Sequence, residues 1–133
     1  MTTLTPELQR ELNARTAPGW RPNPGDVITG EIVAMTRAES EWGPYPRLVL
    51  DLVDTTTGAR DGMTAVHAFH STLKSGLAEL HAAGRLAVGD LVTIAYAGRR
   101  QARNGNPYEL YTVLAGDGRT PAAGTDDITD LLG

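Results

Sequence analysis

The segment Met63–Gly84, MTAVHAFHSTLKSGLAELHAAG, decides the fold, because the spacing of its apolar side chains changes midway. Up to His70, apolar and polar residues alternate as they do in a β-strand. Beyond it, three leucines recur at the spacing of one helix face: Leu73, Leu77 and Leu80. We therefore predict a strand over residues 63–70 and a helix over residues 71–83.

The sequence also predicts how this helix begins and ends. Ser71 or Thr72 can cap its first free amides, and Gly84 lies where a helix would stop. Gly76, inside the helix, costs about 1 kcal/mol relative to alanine. We therefore expect the helix to depend on tertiary packing.

Four more strands are predicted on either side of this segment. Their alternating residues are 26–37 and 47–54 before it, and 91–98 and 108–115 after it. Gly30 interrupts the first strand, and such a glycine marks a bulge or a sharp bend. Three strands, one helix and two strands is the order of the OB-fold. We predict an all-β, five-stranded OB-fold barrel with its helix between strands 3 and 4; a small α+β sheet is the alternative.

Both ends of the chain differ from this central domain. A short helix is predicted over residues 5–15, capped by Thr5, and a connector rich in Pro and Gly follows at 17–25. After Gly116 the chain is rich in Gly, Pro, Ala and Thr and is predicted to be flexible. The expected organisation is a helix and connector (1–19), an OB-fold domain (20–116) and an acidic tail (117–133).

Composition narrows the class of protein. Of the 133 residues, 41% are hydrophobic and 21% charged, a balance that can form a core. The chain has no cysteine, no long apolar run and no signal-peptide pattern, so we expect a cytoplasmic protein without a membrane segment. The net charge is −4, but residues 1–125 carry 12 basic and 13 acidic side chains, so the body is near neutral.

No motif predicts catalysis, a metal or a cofactor. His67 and His70 form an H-x-x-H pattern, but within a strand an offset of three residues directs two side chains to opposite faces. Neither histidine has a familiar metal-ligand spacing to His81, and no nucleotide-binding glycine motif is present. We therefore expect a protein that is not an enzyme.

Two predicted loops combine arginines with aromatic side chains. The loop between strands 1 and 2 contains Trp42 and Tyr45 and is flanked by Arg37 and Arg47. The loop between strands 4 and 5 contains Arg99, Arg100 and Arg103, and Tyr108 and Tyr111 follow it. Arginine pairs with phosphate, and aromatic rings stack on bases. In an OB-fold these loops flank the oligonucleotide-binding face, so we predict that these residues bind nucleic acid.

Each loop also has an ordinary structural interpretation. The arginine loop could be a solvated hairpin tip. Trp42 could instead cap one end of the barrel. The glutamates at 39 and 41 also oppose a simple phosphate-binding surface.

Several segments resemble one protein family. GDVITGEIV, EWGPYPRLVLDLVD, VHAFHSTLKSGL, VGDLVTIAYAGRR and NGNPYELYTVL are similar to small OB-fold proteins of actinobacteria and their phages, of the single-stranded-DNA-binding type. The resemblance covers about residues 20–115. It implies a non-catalytic protein that handles single-stranded DNA in replication, recombination or repair.

The acidic C-terminus is a second candidate interaction segment. The standard bacterial single-stranded-DNA-binding proteins end in an acidic tip closing on Pro-Phe, whereas this chain ends TDDITDLLG. Its acidic and apolar residues predict a partner-binding tail or a solubilising terminus: Asp126, Asp127, Ile128, Asp130, Leu131 and Leu132.

Together these patterns predict a single-stranded DNA-binding protein with little sequence preference. RNA as the ligand, a homo-oligomeric state and a protein partner for the tail all remain open at this point. An OB-fold protein–protein interaction module is the alternative function.

Overall fold

The computed structural model describes residues 5–54 and 56–115. The elements there are α1 (Pro6–Arg15), β1 (Val27–Ser40), β2 (Gly43–Val53), β3 (Arg60–His67), α2 (Ser71–Ala82), β4 (Leu91–Gln101) and β5 (Pro107–Ala115). The five predicted strands and both predicted helices are confirmed as elements. The predicted C-terminal tail lies outside the described residues. Neither helix has the length and apolar character needed to span a membrane.

Two predicted loops are in fact partly strand. Residues 38–46 were expected to form a loop, but β1 and β2 stay paired up to Ser40 opposite Gly43. Likewise β4 and β5 stay paired up to Gln101 opposite Pro107. Backbone hydrogen bonds continue along both hairpins although the side chains are polar, which side-chain patterning does not detect.

The junction between β3 and α2 also differs from the prediction. β3 ends at His67, so Phe69 and His70 lie in the link to α2 rather than in the strand. His70 is the N-cap residue and makes no side-chain cap hydrogen bond, so the prediction of Ser71 or Thr72 as the cap is wrong. The Thr72 hydroxyl bonds to β5 instead.

β1 lies at the centre of a single antiparallel sheet in the order β3-β2-β1-β4-β5. Gly30 pairs with Leu52 of β2 on one side and with Val92 of β4 on the other. A Cβ atom at Gly30 would lie 2.9 Å from the Cβ of Leu50, so this close approach requires glycine. The bulge that the sequence predicted at Gly30 lies instead at Val33, in the pairing with β2.

The predicted five-stranded barrel is confirmed only in part: the five antiparallel strands form one sheet, but that sheet is not closed. Within residues 5–54 and 56–115 no strand pairing joins β3 to β5. The connector occupies the outer edge of β3, since the N–H of Trp20 donates to the Ala65 carbonyl and the N–H of Ala65 to the Pro18 carbonyl, each at 2.8 Å. On β5, the Thr72 hydroxyl donates to the Glu109 carbonyl at 2.5 Å. Both edges are therefore partly covered by other segments.

The core lies between one face of this sheet and α2. Its fully buried side chains include Ile32, Leu48, Leu50, Leu73, Leu77 and Ile94. A Cβ atom at Gly76 would lie 2.7 Å from a methyl carbon of Val113, so α2 packs directly against β5. The predicted dependence of this helix on tertiary packing follows from that contact.

The N-terminal helix α1 lies on the opposite, outer side of the sheet. Arg10 forms ion pairs with Glu31 at 3.5 Å and with Asp51 at 3.8 Å. The guanidinium of Arg47 donates to the carbonyl of Ala14 at 3.2 Å, and Ala14 is the one buried residue of this helix. Polar contacts thus hold α1 against the outer faces of β1 and β2.

Candidate nucleic-acid interface

Four rings from distant parts of the chain form a continuous row across the surface. The aromatic row consists of Tyr45 at the start of β2, Phe69 and His70 before α2, and Tyr111 of β5. Consecutive ring centroids are 5.5, 4.5 and 5.5 Å apart. Phe69, in the middle, is 55% exposed. The row therefore offers ring surface to a ligand.

Three further rings support the two ends of the row. The hydroxyl of Tyr45 is hydrogen-bonded to Nδ1 of His67 at 2.9 Å. At the other end, Trp20 meets Tyr111 edge-on with centroids 6.1 Å apart, and Tyr96 lies 4.9 Å from Tyr111. Trp20 also packs against the core. These contacts fix the positions of the end rings.

Two grooves flank the row, and Phe69 and His70 line both of them. The connector groove has a volume of about 510 Å³ and is lined by Gly19, Trp20, Arg21, Pro22, His67, Phe69, His70 and Tyr111. The hairpin groove has a volume of about 340 Å³ and is lined by Phe69, His70, Ser71, Arg99, Pro107, Tyr108 and Glu109. Each groove thus combines aromatic rings with one arginine.

Glu109 adds a negative charge to the hairpin groove. The hydroxyl of Tyr96 donates to this carboxylate, and the Arg99 guanidinium lies 3.3 Å from it. The hydrogen bond from Tyr96 is the largest influence on the pKa of Glu109, and with Arg99 it lowers that pKa despite opposition from burial. The same hydrogen bond raises the pKa of Tyr96. Glu109 is therefore ionised at neutral pH and offsets the charge of Arg99.

The histidines of the grooves favour their neutral form. Burial lowers the pKa of His67, and the charge of Arg47 lowers it further. Burial also lowers the pKa of His70, against the opposing charge of Glu109. At neutral pH both imidazoles are uncharged planar rings, which can stack.

The structure brings some of the predicted binding residues together. Tyr45 and Tyr111 belong to the aromatic row, and Arg99 and Tyr108 line the hairpin groove. Arg47 lines neither groove, and its guanidinium is bound to the C-terminal turn of α1. Sequence patterning could not show that this turn lies above β2.

The other predicted binding residues lie on two projecting hairpins. The tryptophan hairpin, residues 37–46, extends past the last β3 residue paired to β2 and carries Arg37 and Trp42. Trp42 is 87% exposed, so the interpretation of it as a barrel cap is wrong. The arginine hairpin, residues 98–109, extends past the region where β4 pairs with β1. Its Arg100 and Arg103 are exposed and line neither groove.

Sequence reasoning missed half of the aromatic row. The alternating pattern places Phe69 and His70 in a strand, and the histidine spacing by itself relates only to metal binding. The signal available in the sequence is the adjacent pair of ring side chains, Phe69 and His70, immediately before the start of a helix. Trp20 and Arg21 were assigned to a connector, and nothing in their pattern predicts the contact with Tyr111.

Comparison of the chain with protein families, curated proteins and solved structures gives no match. Among residues 5–54 and 56–115 there is also no cluster of three side chains suited to a metal ion.

Proposed function

We propose that this protein binds single-stranded DNA, with the bases stacked along the aromatic row. The observation that carries the proposal is the unbroken series Tyr45, Phe69, His70 and Tyr111, partly open to solvent and flanked by grooved surface. Unpaired bases expose flat apolar faces, and their stacking on aromatic rings contributes about 1–3 kcal/mol per base.

The charges beside the row suit the backbone of such a ligand. Arg21 lines the connector groove and Arg99 lines the hairpin groove, and Phe69 and His70 line both. Each arginine can pair with a phosphate while a base stacks on these rings. Every base has a stacking face, so recognition by stacking gives little sequence preference. No reaction is needed for this function, and we propose a non-catalytic role in replication, recombination or repair.

The strand order also supports an OB-type fold, partly open between β3 and β5. β1 pairs with both β2 and β4, and α2 connects β3 to β4. OB-folds bind oligonucleotides on the face of strands 2 and 3. Here α1 lies over part of that face, through Arg10 and Arg47. We therefore propose that the single-stranded DNA follows the aromatic row. It would lie beside α1 and not between α1 and the sheet.

A salt-dependent titration tests this function. The full chain is added to fluorescein-labelled oligo-dT, and anisotropy is recorded at several salt concentrations with RNA and duplex DNA as competitors. We expect tight binding at low salt that weakens with added salt, because counterions are released, and poor competition by duplex DNA. Absence of binding at every salt concentration would contradict the proposal.

A protein–protein interaction module is the second candidate. The Glu109 carboxylate inside the hairpin groove and the near-neutral body of the chain favour a polypeptide ligand over a polyanion. An oligonucleotide that fails to bind, together with a basic or aromatic peptide that does bind the grooves, would support this alternative.

A further inference from the structure

Trp42 lies at the tip of the tryptophan hairpin, at a well-defined position. Glu41 and Trp42 form the turn between β1 and β2, and Gly43 follows with a φ of 116°, which favours glycine. The Ser40 hydroxyl accepts a hydrogen bond from the N–H of Trp42 at 3.2 Å and donates to the Gly43 carbonyl at 2.9 Å. The indole is thus presented by a fixed turn although the folded domain does not bury it.

The surroundings of this indole suit a cation better than a phosphate. Glu41 precedes Trp42 in the turn, and Glu39 lies nearby on β1. Arg37 offsets part of this charge, with its Nε 3.9 Å from the carboxylate of Glu39. An aromatic face beside carboxylates binds a guanidinium through cation–π attraction and ion pairing. Phosphate would be repelled by the same carboxylates.

The arginine hairpin carries the matching groups, with Arg103 in its turn and Arg100 near the end of β4. Arg100 and Arg103 are exposed. Neither forms an ion pair with any carboxylate in the part of the chain that the structure describes. Arg100 donates only to the neighbouring carbonyl of Arg99, at 3.3 Å. The two tips therefore carry complementary chemistry, aromatic and acidic on one and cationic on the other.

We infer that the tryptophan hairpin of one copy binds the arginine hairpin of a second copy. The indole of Trp42 packs on the guanidinium of Arg100 or Arg103, and Glu41 and Glu39 pair with these arginines. Each copy carries one hairpin of each kind, so the contact is head-to-tail and leaves a free tip at both ends. It goes beyond the proposed DNA-binding function and uses none of the aromatic row.

Sedimentation velocity of the full chain without nucleic acid tests this inference. At low salt the average sedimentation coefficient should rise with protein concentration, and added salt should reverse the rise because ion pairs are screened. Trp42→Ala should weaken self-association about tenfold, as expected for a lost cation–π contact. Phe69→Ala, in the aromatic row, is the matched control and should associate like the parent protein.

A mixing experiment identifies the contact as head-to-tail. Glu41→Arg alone and Arg103→Glu alone should each remain monomeric, since each places like charges at the contact. When mixed, they should associate, because the unchanged tryptophan hairpin of the Arg103→Glu copy can bind the unchanged arginine hairpin of the Glu41→Arg copy. Circular dichroism checks that both variants are folded.

Three results would overturn the inference. The parent protein could remain monomeric at all concentrations, or its self-association could be insensitive to Trp42→Ala. The two charge-reversal variants could also fail to associate when mixed. Association with a basic peptide from another protein but not with a second copy would show that the tip is an interaction site with a different occupant. Loss of DNA binding would not affect these results, since no nucleic acid is present.

Discussion

Replacing Phe69 by alanine removes the central ring of the aromatic row. Its ring lies 5.5 Å from Tyr45 and 4.5 Å from His70, centroid to centroid, and it lines both grooves. A base stacked there would lose its platform. The expected loss is about 1–3 kcal/mol of binding free energy, or about 5- to 150-fold in Kd.

The effect on folding should be smaller than for a core aromatic. Replacing a fully buried phenylalanine by alanine lowers the unfolding free energy by about 3–5 kcal/mol. Phe69 is 55% exposed, so we expect about 1–2 kcal/mol of lost unfolding free energy. The variant should therefore stay folded at room temperature, and its melting curve verifies this.

The assay is the anisotropy titration with labelled oligo-dT, performed well below the melting temperature of each variant. Leu114→Ala provides the matched control, because Leu114 is a large apolar side chain that is 58% exposed on β5 and lines neither groove. Its Kd should equal that of the parent protein. An unchanged Kd for folded Phe69→Ala, or an equal loss for Leu114→Ala, would refute the stacking argument.

Three other predictions concern packing, charge and pH. Gly76→Ala should lower the melting temperature, because the new Cβ would meet Val113 at 2.7 Å. Such overpacking costs about 1–3 kcal/mol, more than the helix gains from alanine. A higher melting temperature would contradict this close packing. Joint replacement of Arg21 and Arg99 by alanine should reduce the slope of log binding constant against log salt concentration in the oligo-dT titration. The expected reduction is roughly 1.4, because each lost phosphate contact accounts for about 0.7. An unchanged slope would exclude both contacts. The unfolding free energy should decrease as pH falls below 6.5, because burial lowers the pKa of His70 in the folded state and the unfolded chain binds the proton more readily. Urea titrations from pH 7.5 to 5 measure this decrease, which should be smaller in His70→Gln; an equal decrease would assign the effect to other groups.

The order of strands and helices was accessible from the sequence because it depends on local periodicity. The change of period within Met63–Gly84 separates β3 from α2, and both are confirmed. Gly30 was identified as a special position, but the reason differs from the predicted one. The bulge lies at Val33, and glycine is required at position 30 because Leu50 approaches closely where β1 pairs with two strands. Whether the sheet closes depends on which segments occupy its edges, such as the connector beside Ala65. The spacing of apolar residues along one strand does not predict which distant segment lies beside it.

The candidate site was only partly predictable for a similar reason. Tyr45 and Tyr111 were identified because aromatic residues near arginines stand out in a polar stretch. Phe69 and His70 join these two rings into one row because the link before α2 lies between them. The position of that link is set by tertiary packing, so the local sequence pattern does not predict it. Arg47 was predicted to bind nucleic acid because it lies close to Trp42 in the sequence. Its hydrogen bond to α1 is a tertiary contact, which the sequence pattern does not show.

The central claim is that single-stranded DNA lies along the aromatic row, and NMR of the side chains tests it most directly. Aromatic ¹H–¹³C spectra of the full chain are recorded while unlabelled oligo-dT is added. Resonances of Tyr45, Phe69, His70 and Tyr111 should shift together and saturate with one common Kd, while those of Trp42 change little. Saturable binding that shifts Trp42 and leaves the four rings of the row unchanged would contradict the account.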